Sequence, residues 1–248
     1  MDAAISAAAN HGVGFAALEN SNHCGAMDWY VMRASARDMI GLCGTNALPT
    51  MAPVGGVDKI IGINPIGVAF PAGKHADFVL DFSFGASAHG KIRVYAQKGH
   101  SIPSDWAFDA NGEPTTDAKM ALEGLIQPIG GHKGVALGMA IGILSTLLTG
   151  AGYGTRSGNM IDGAMAGRDG QFFAAIDISA FTGVAEFKAR IDDVINEVHR
   201  STRRADVDRL LVPGEIENET ANEQANSGIR LAKMTFDQII EVGHSLGA

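Results

Sequence analysis

In "ENSNHCGAMDWYV", residues 19–31, an imidazole sits between small polar residues and a Cys-Gly pair, directly after the apolar run "GVGFAAL". Histidine titrates near neutrality and can carry a proton in either direction, so His23 at the end of a strand is a candidate general acid/base. The plain alternative is a packed histidine bonded to a backbone carbonyl. Cys24 offers a rival chemistry, a Cys-His nucleophilic pair. Neighbours on an extended strand point to opposite faces, however, and a small buried filler is the simpler role for this thiol. A second constellation is "GGHKG", Gly130 to Gly134. Glycines leading into a helix leave backbone N–H groups open to an anion, and Lys133 adds a cation where the helix dipole disfavours one. Such a charge invites an anion; a solvated lysine is the alternative. "LDFS" places Asp81 and Ser83 at a strand end, where a carboxylate accepts from ribose hydroxyls or caps a turn. "VPGE", Val212 to Glu215, read alone, is a surface turn beside a carboxylate.

The elements that must hold these groups are read from periodicity. "DAAISAAA" reads as a helix ending at Gly12, and "VGFAALEN" as a short strand. Gly12, Gly14 and Ala17 match GxGxxG/A, but that phosphate-binding motif must follow a strand and open a helix. Here the order is reversed, so these are read as turn glycines. Met27, Tyr30, Val31 and Ala34 stand at helical spacing after the His23 turn. "IGLCGTN", "IGVAFP" and "ADFVLDFS" read as strands, "HGKIRVYAQKG" as a helix stopping at Gly99, and residues 100–117 as loop. "HKGVALGMAIGILSTLL" reads as a central buried helix, followed by the Gly-rich "GAGYGTRSGNMIDGAMAGRDG" and the strand "QFFAAID". "EFKARIDDVINEVHRS" is amphipathic, with Phe187, Ile191, Val194, Ile195 and Val198 on one face. After "LLVPGEIE" come an acidic helical stretch and a terminal helix whose Thr235 and Gln238 have capping-box spacing. Strands and helices mix without strict alternation, which predicts an α/β (α+β) fold and argues against a doubly wound parallel sheet. With no repeats and no linker, residues 1–248 read as one domain with C-terminal helices.

Composition narrows the function classes. The formal net charge is −8 and no Lys/Arg cluster occurs, so neither nucleic acid nor an anionic membrane has electrostatic support as a partner. Two cysteines, Cys24 and Cys43, make no disulfide framework and fit a reducing cytoplasm. The eight histidines lack ligand spacing, so no metal site is expected. The longest apolar run, from Val135, is too broken by glycine, Ser145 and Thr146 to read as a membrane span. The acidic N-terminus is not a signal peptide.

Taken in order, "SNHCG", "GTNALPTMAP", "GINPIGVAFP", "LDFS", Gly90-Lys91, "GEPTTD", "GGHKG", "GQFFAAID" and "VPGE" resemble the malate/L-lactate dehydrogenase family, which is distinct from the Rossmann-fold lactate and malate dehydrogenases. That family includes ureidoglycolate, sulfolactate and cyclic-imino-acid oxidoreductases. The resemblance implies a mixed, largely antiparallel sheet flanked by helices, a homodimer, and NAD(P)-dependent interconversion of a 2-oxo acid and a 2-hydroxy acid. It implies His23 as proton donor and acceptor, and cofactor contacts at Asp81, Phe82, Ser83, Lys133, Gly214, Glu215 and Ile216. An acid near a ribose repels a 2′-phosphate, which favours NAD over NADP. Ala47 stands where the family often has a serine touching the cofactor, so a contact there must come from backbone or water. The family also carries an N-terminal helical segment with a Ser-His-Gly motif and a substrate-binding arginine, and this chain starts downstream of it. The alternatives are therefore a silent nucleotide-binding remnant, a cyclic-imino-acid reductase of the same family, and, more remotely, a Cys24 hydrolase.

Overall fold

The computed structural model describes residues 1–158 and 166–247. Five strands organise the chain: β1 (Val13–Ser21), β2 (Met39–Thr45), β5 (Ile66–Phe70), β6 (Phe78–Phe82) and β9 (Asp169–Asp177). They form one antiparallel sheet in the order β1-β9-β2-β5-β6. Side chains alternate across this sheet with period two. Phe173 and Ala175 of β9 join Cys43 and Ala69 beneath helices α1 (Asp2–His11) and α2 (Asp28–Ser35). Phe172 points the other way, into the core under α5 (His132–Thr146).

Small residues bring the helices close. A Cβ at Gly14 would lie 1.9 Å from the Ala4 carbonyl oxygen, so this glycine exists for helix approach and not for a turn. Gly12, by contrast, does end α1 in the left-handed conformation. Ile5, Ala4 and Ala8 of α1 are buried against the sheet. A fully buried isoleucine contributes about 1.5–3 kcal/mol, enough to hold a two-and-a-half-turn helix that would not persist alone.

A second layer covers the α5 face. It holds the two-stranded ladders β3 (Pro49–Met51) with β4 (Ile61–Gly62) and β7 (Ala107–Phe108) with β8 (Leu125–Ile126), and the helices α3 (His89–Lys98) and α4 (Ala118–Glu123). Met51, Ile61, Phe84, Ile92, Ile126 and Phe172 fill the space between them. Short 3₁₀ turns lie at Gly154–Arg156 and Ile178–Ala180. The centre of the Gly-rich stretch before β9, residues 159–165, lies outside the described residues.

Three expectations need correction. Helix α5 is not a buried core helix: it buries Gly134, Val135, Gly138, Ile141, Gly142, Ser145 and Thr146, and leaves Leu137, Leu144, Leu147 and Leu148 exposed. In α6 (Val184–Arg200) Ile191, Ile195 and Val198 pack as the periodicity expects, but Val194 faces solvent and Asp192 is buried. Asp192 is tolerated inside because its carboxylate accepts the backbone N–H groups of Gly73, Lys74 and His75. Finally, Thr235 makes no cap: α8 (Lys233–Ser245) begins two residues earlier, after Ala232. The acidic α7 (Glu215–Ser227) forms as expected, and neither α7 nor α8 buries a residue. No helix among the described residues is long and apolar enough to cross a membrane.

Candidate active site

The His23 turn is built where β1 leaves the sheet. Between Leu18 and Ser21 the register with β9 slips by one residue, and Asn20 there adopts a positive φ of 56°. Such a bulge bends the strand and re-aims the residues beyond it. Gln171 of β9, itself buried, donates from Nε2 to the Asn22 carbonyl at 3.1 Å. The Tyr30 hydroxyl donates to the Cys24 carbonyl at 2.9 Å. The turn is thus pinned on both sides of His23, and the imidazole itself is exposed. Its Nδ1 accepts the Gly25 N–H at 3.0 Å, and Nε2 has no hydrogen-bond partner among the described residues.

Asp81 reaches the same turn from β6. Its Oδ2 accepts the backbone N–H groups of Met27 and Asp28 at 2.7 and 3.1 Å, so the carboxylate caps α2. That places a negative charge at the positive end of the helix dipole. Desolvation by the surrounding chain outweighs these two donors and holds the Asp81 carboxyl above its ordinary range, with Asp28 and Glu217 adding like charge. Of the two roles open to Asp81, the cap is realised, for a helix more than fifty residues earlier, and Oδ1 has no hydrogen-bond partner among the described residues.

Around this pair the other expected residues divide. Phe82 packs edge-on against Phe84 with ring centroids 5.0 Å apart, so its side chain serves the core. The half-buried Ser83 hydroxyl has no partner among the described residues. The "VPGE" turn lies on β6, where Val79 N donates to Pro213 O at 3.1 Å. Gly214 there has φ 96° and a Cβ would meet Val79 backbone at 3.0 Å, so both conformation and space require glycine. Glu215 is already committed: it pairs with His199 Nε2 at 2.9 Å and accepts the Val212 N–H. Ile216 lies in the first turn of α7 and is exposed. Lys133 stands apart, exposed on the first turn of α5 after two left-handed glycines, Gly130 and Gly131, with open space about both.

Ala47 gives its N–H to Asn64 Oδ1 at 2.9 Å, so no backbone donor is spare at that position. Cys24 is half-buried, and burial pushes its thiol up, as it pushes Cys43 to about 12. Neither is a ready thiolate, which removes the basis for a Cys-His hydrolase.

Two residues that the sequence did not single out also belong here. Asn46 donates to Asp169 Oδ1 at 3.1 Å and accepts the Gly170 N–H at 2.8 Å. Asp169 stands opposite Ser21 in the last pair of the β1–β9 ladder. Asn46 lies within "GTNALP" and was within reach of a motif reading; Asp169 carried no local signal.

The exposed His23 imidazole thus stands on a turn pinned at both sides, at the end of an antiparallel sheet. The sequence profile of the malate/L-lactate dehydrogenase family matches residues 1–240, and the chain belongs to that family. L-sulfolactate dehydrogenase of Methanothermobacter thermautotrophicus is 39% identical over 246 residues, 99% of this chain and 70% of the relative. The solved sulfolactate dehydrogenase of Methanocaldococcus jannaschii superposes with a TM-score of 0.88 at 38% identity, over 99% of this chain and 70% of that one. Ureidoglycolate dehydrogenase (NAD(+)) of Escherichia coli K12 is 29% identical over 241 residues, 97% of this chain and 68% of the relative.

Proposed function

We propose that the chain acts as an NAD(P)-dependent dehydrogenase interconverting a 2-oxo acid and its 2-hydroxy acid, with His23 as general acid/base. The observation that carries this reading is the pinned, solvent-facing His23 turn, whose Nε2 has no hydrogen-bond partner among the described residues. Sulfolactate and malate are the substrate classes the family likeness favours, and NAD is favoured over NADP because Asp81 and Glu217 make this end of the sheet acidic.

The residues fit a dinucleotide. Lys133 with the open Gly130-Gly131 backbone suits a phosphate, and Asp81 Oδ1 and the Ser83 hydroxyl suit polar groups of the nucleotide. Gly214 and Ile216 contribute through backbone and surface, and Phe82 through backbone. Glu215 acts by holding the turn with His199. When bound, the nicotinamide supplies or accepts hydride.

The chain's own task is the proton. In the reducing direction His23 imidazolium gives its Nε2 proton to the oxygen that becomes the hydroxyl. In the oxidising direction neutral His23 takes that proton back at Nε2. Both the imidazolium and the neutral ring with an unprotonated Nε2 carry a proton on Nδ1, so the Gly25 N–H must leave Nδ1 for the ring to work in either direction. The face formed by α5 and the edge strand β1 supports a homodimer as the working form.

The test is His23→Gln assayed with NADH and a panel of 2-oxo acids that includes sulfopyruvate and oxaloacetate. Turnover is expected to fall about 10²–10⁴-fold while NADH binding, read by fluorescence, is retained. Unchanged turnover in an active preparation overturns the assignment.

A further inference from the structure

We propose that His199 is a positioning residue for the candidate nucleotide site: from the last turn of α6 it holds the turn of Gly214, Glu215 and Ile216 against the outer edge of β6. The proposal deepens the dehydrogenase reading and rests on it for the nucleotide alone; the latch itself is tested without cofactor or substrate.

The turn and β6 meet through backbone. Strand β6 pairs with β5 on one side, and towards the turn the Val79 N–H donates to the Pro213 carbonyl at 3.1 Å. A backbone bond of this kind contributes little net stability, so the turn needs a further anchor. Glu215 supplies it, and its carboxylate works in two directions. Oε2 accepts the Val212 N–H at 2.8 Å, which closes the turn on itself. Both oxygens also face His199, whose Nε2 lies 2.9 Å from Oε1 and 3.2 Å from Oε2. An ionised carboxylate only accepts, so Nε2 carries the proton and donates, in the neutral ring as in the charged one.

His199 is in turn held by its surroundings. Asp192, Asn196 and His199 follow one another at spacings of four and three, which places them on one face of α6. Asp192 takes the amides of Gly73, Lys74 and His75, and Asn196 Oδ1 meets His75 Nε2 at 3.1 Å. The His75 ring stands edge-on to His199 with centroids 5.8 Å apart. Beside them Ile195 and Val198 pack with Ala72, Phe78 and Val212. One helix therefore braces both segments that flank β6: the loop leading into the strand and the turn lying along its edge. The His199–Glu215 bond so fixes Gly214 and Ile216 relative to the strand that carries Asp81 and leads to Ser83.

The experiment compares two variants with the parent. His199→Gln keeps a donor amide where Nε2 stands, whereas His199→Phe keeps the ring and its edge contact but has no donor. The first readout is hydrogen exchange of the Val79 amide in the apo protein. It should quicken at least about tenfold in His199→Phe, the worth of a hydrogen bond to a carboxylate, and stay near the parent in His199→Gln. The second is NADH affinity by fluorescence. It should fall about 2–10-fold in His199→Phe, where the ligand must order the turn itself, and be restored in His199→Gln. Packing alone predicts the reverse order, with the Gln variant the more impaired, and that result overturns the proposal. Equal Val79 exchange in the two variants, whether unchanged or faster, overturns it as well. If the Phe ring does not permit folding, His199→Ser, too short to reach Glu215, is read in its place. Faster Val79 exchange with unaltered NADH affinity would refute the role of the latch in nucleotide binding. A parent that binds no NADH would count against the dehydrogenase reading, and Val79 exchange would still decide the latch.

Discussion

Asp169 and Asp192 are both drawn into the protein, yet they carry opposite signs in stability. For Asp169 burial dominates and the native carboxyl titrates above its ordinary value of about 3.9. Between that ordinary value and the raised one, the folded chain holds more protons than the unfolded chain. Stability therefore falls as pH rises through this window and stays reduced above it. A carboxylate kept under these terms is a cost to folding, of the kind enzymes carry at their sites. Asp169→Asn should accordingly melt higher than the parent at neutral pH. The difference should disappear once the pH is below the ordinary aspartate range, where both chains carry a neutral group. Thermal melts at a series of pH values read this directly. A parent that is the more stable at neutral pH would mean that His23 returns more than desolvation takes.

Among the elements, the loop before β6 is secured to α6 by Asp192. Desolvation opposes the charge, but the amides of Lys74, His75 and Gly73 overcome it and hold the carboxyl below its ordinary range. Here the stabilisation is complete above about pH 3.9 and is lost as pH falls through the lower native value. Asp192→Asn replaces one acceptor oxygen by a donor facing the Lys74 amide. It should cost about 2 kcal/mol in urea unfolding at neutral pH, and less in acid. The pattern of "EFKARIDDVINEVHRS" showed the helix but not this role, because the three amides come from a loop more than a hundred residues earlier. The same division runs through the fold. Helices stopped by Gly12 and Gly99 and the longer strands were legible, since each carries its own period and its own stop. The ladders of two and three residues, β3, β4, β7 and β8, are shorter than any period and were missed. His23, Asp81 and the "VPGE" turn were legible as candidates from the ordered motifs, whereas Asp169 and Gln171 come beside the His23 turn through a strand register that no local pattern records.

Across the whole molecule, apolar surface is shared unevenly. Leu144 and Leu148 of α5 and its C-terminal extension are 39% and 58% exposed although this stretch has almost no polar side chain, because its small residues face the sheet and its large ones face outward. Composition alone could not separate these two faces, which is why the helix read as core. Beside it β1 ends the sheet with an edge that pairs with no strand among the described residues, and it exposes Val13, Phe15 and Leu18. An apolar edge strand next to a leucine-bearing helix is an aggregation hazard unless something covers it. A second copy related by a twofold axis would do so with one self-complementary surface, and would close the assembly. The net charge of −8 opposes further, unspecific association. Lys133 stands eleven residues before Leu144 on the same helix, roughly 17 Å away, so the leucines can be changed without touching the residues proposed for the nucleotide. Replacing Leu144 and Leu148 together by Asp should convert a dimeric parent to a monomer in light scattering, with NADH binding preserved. A parent that is monomeric at micromolar concentration would leave this face without its partner and rule out the homodimer as the working form.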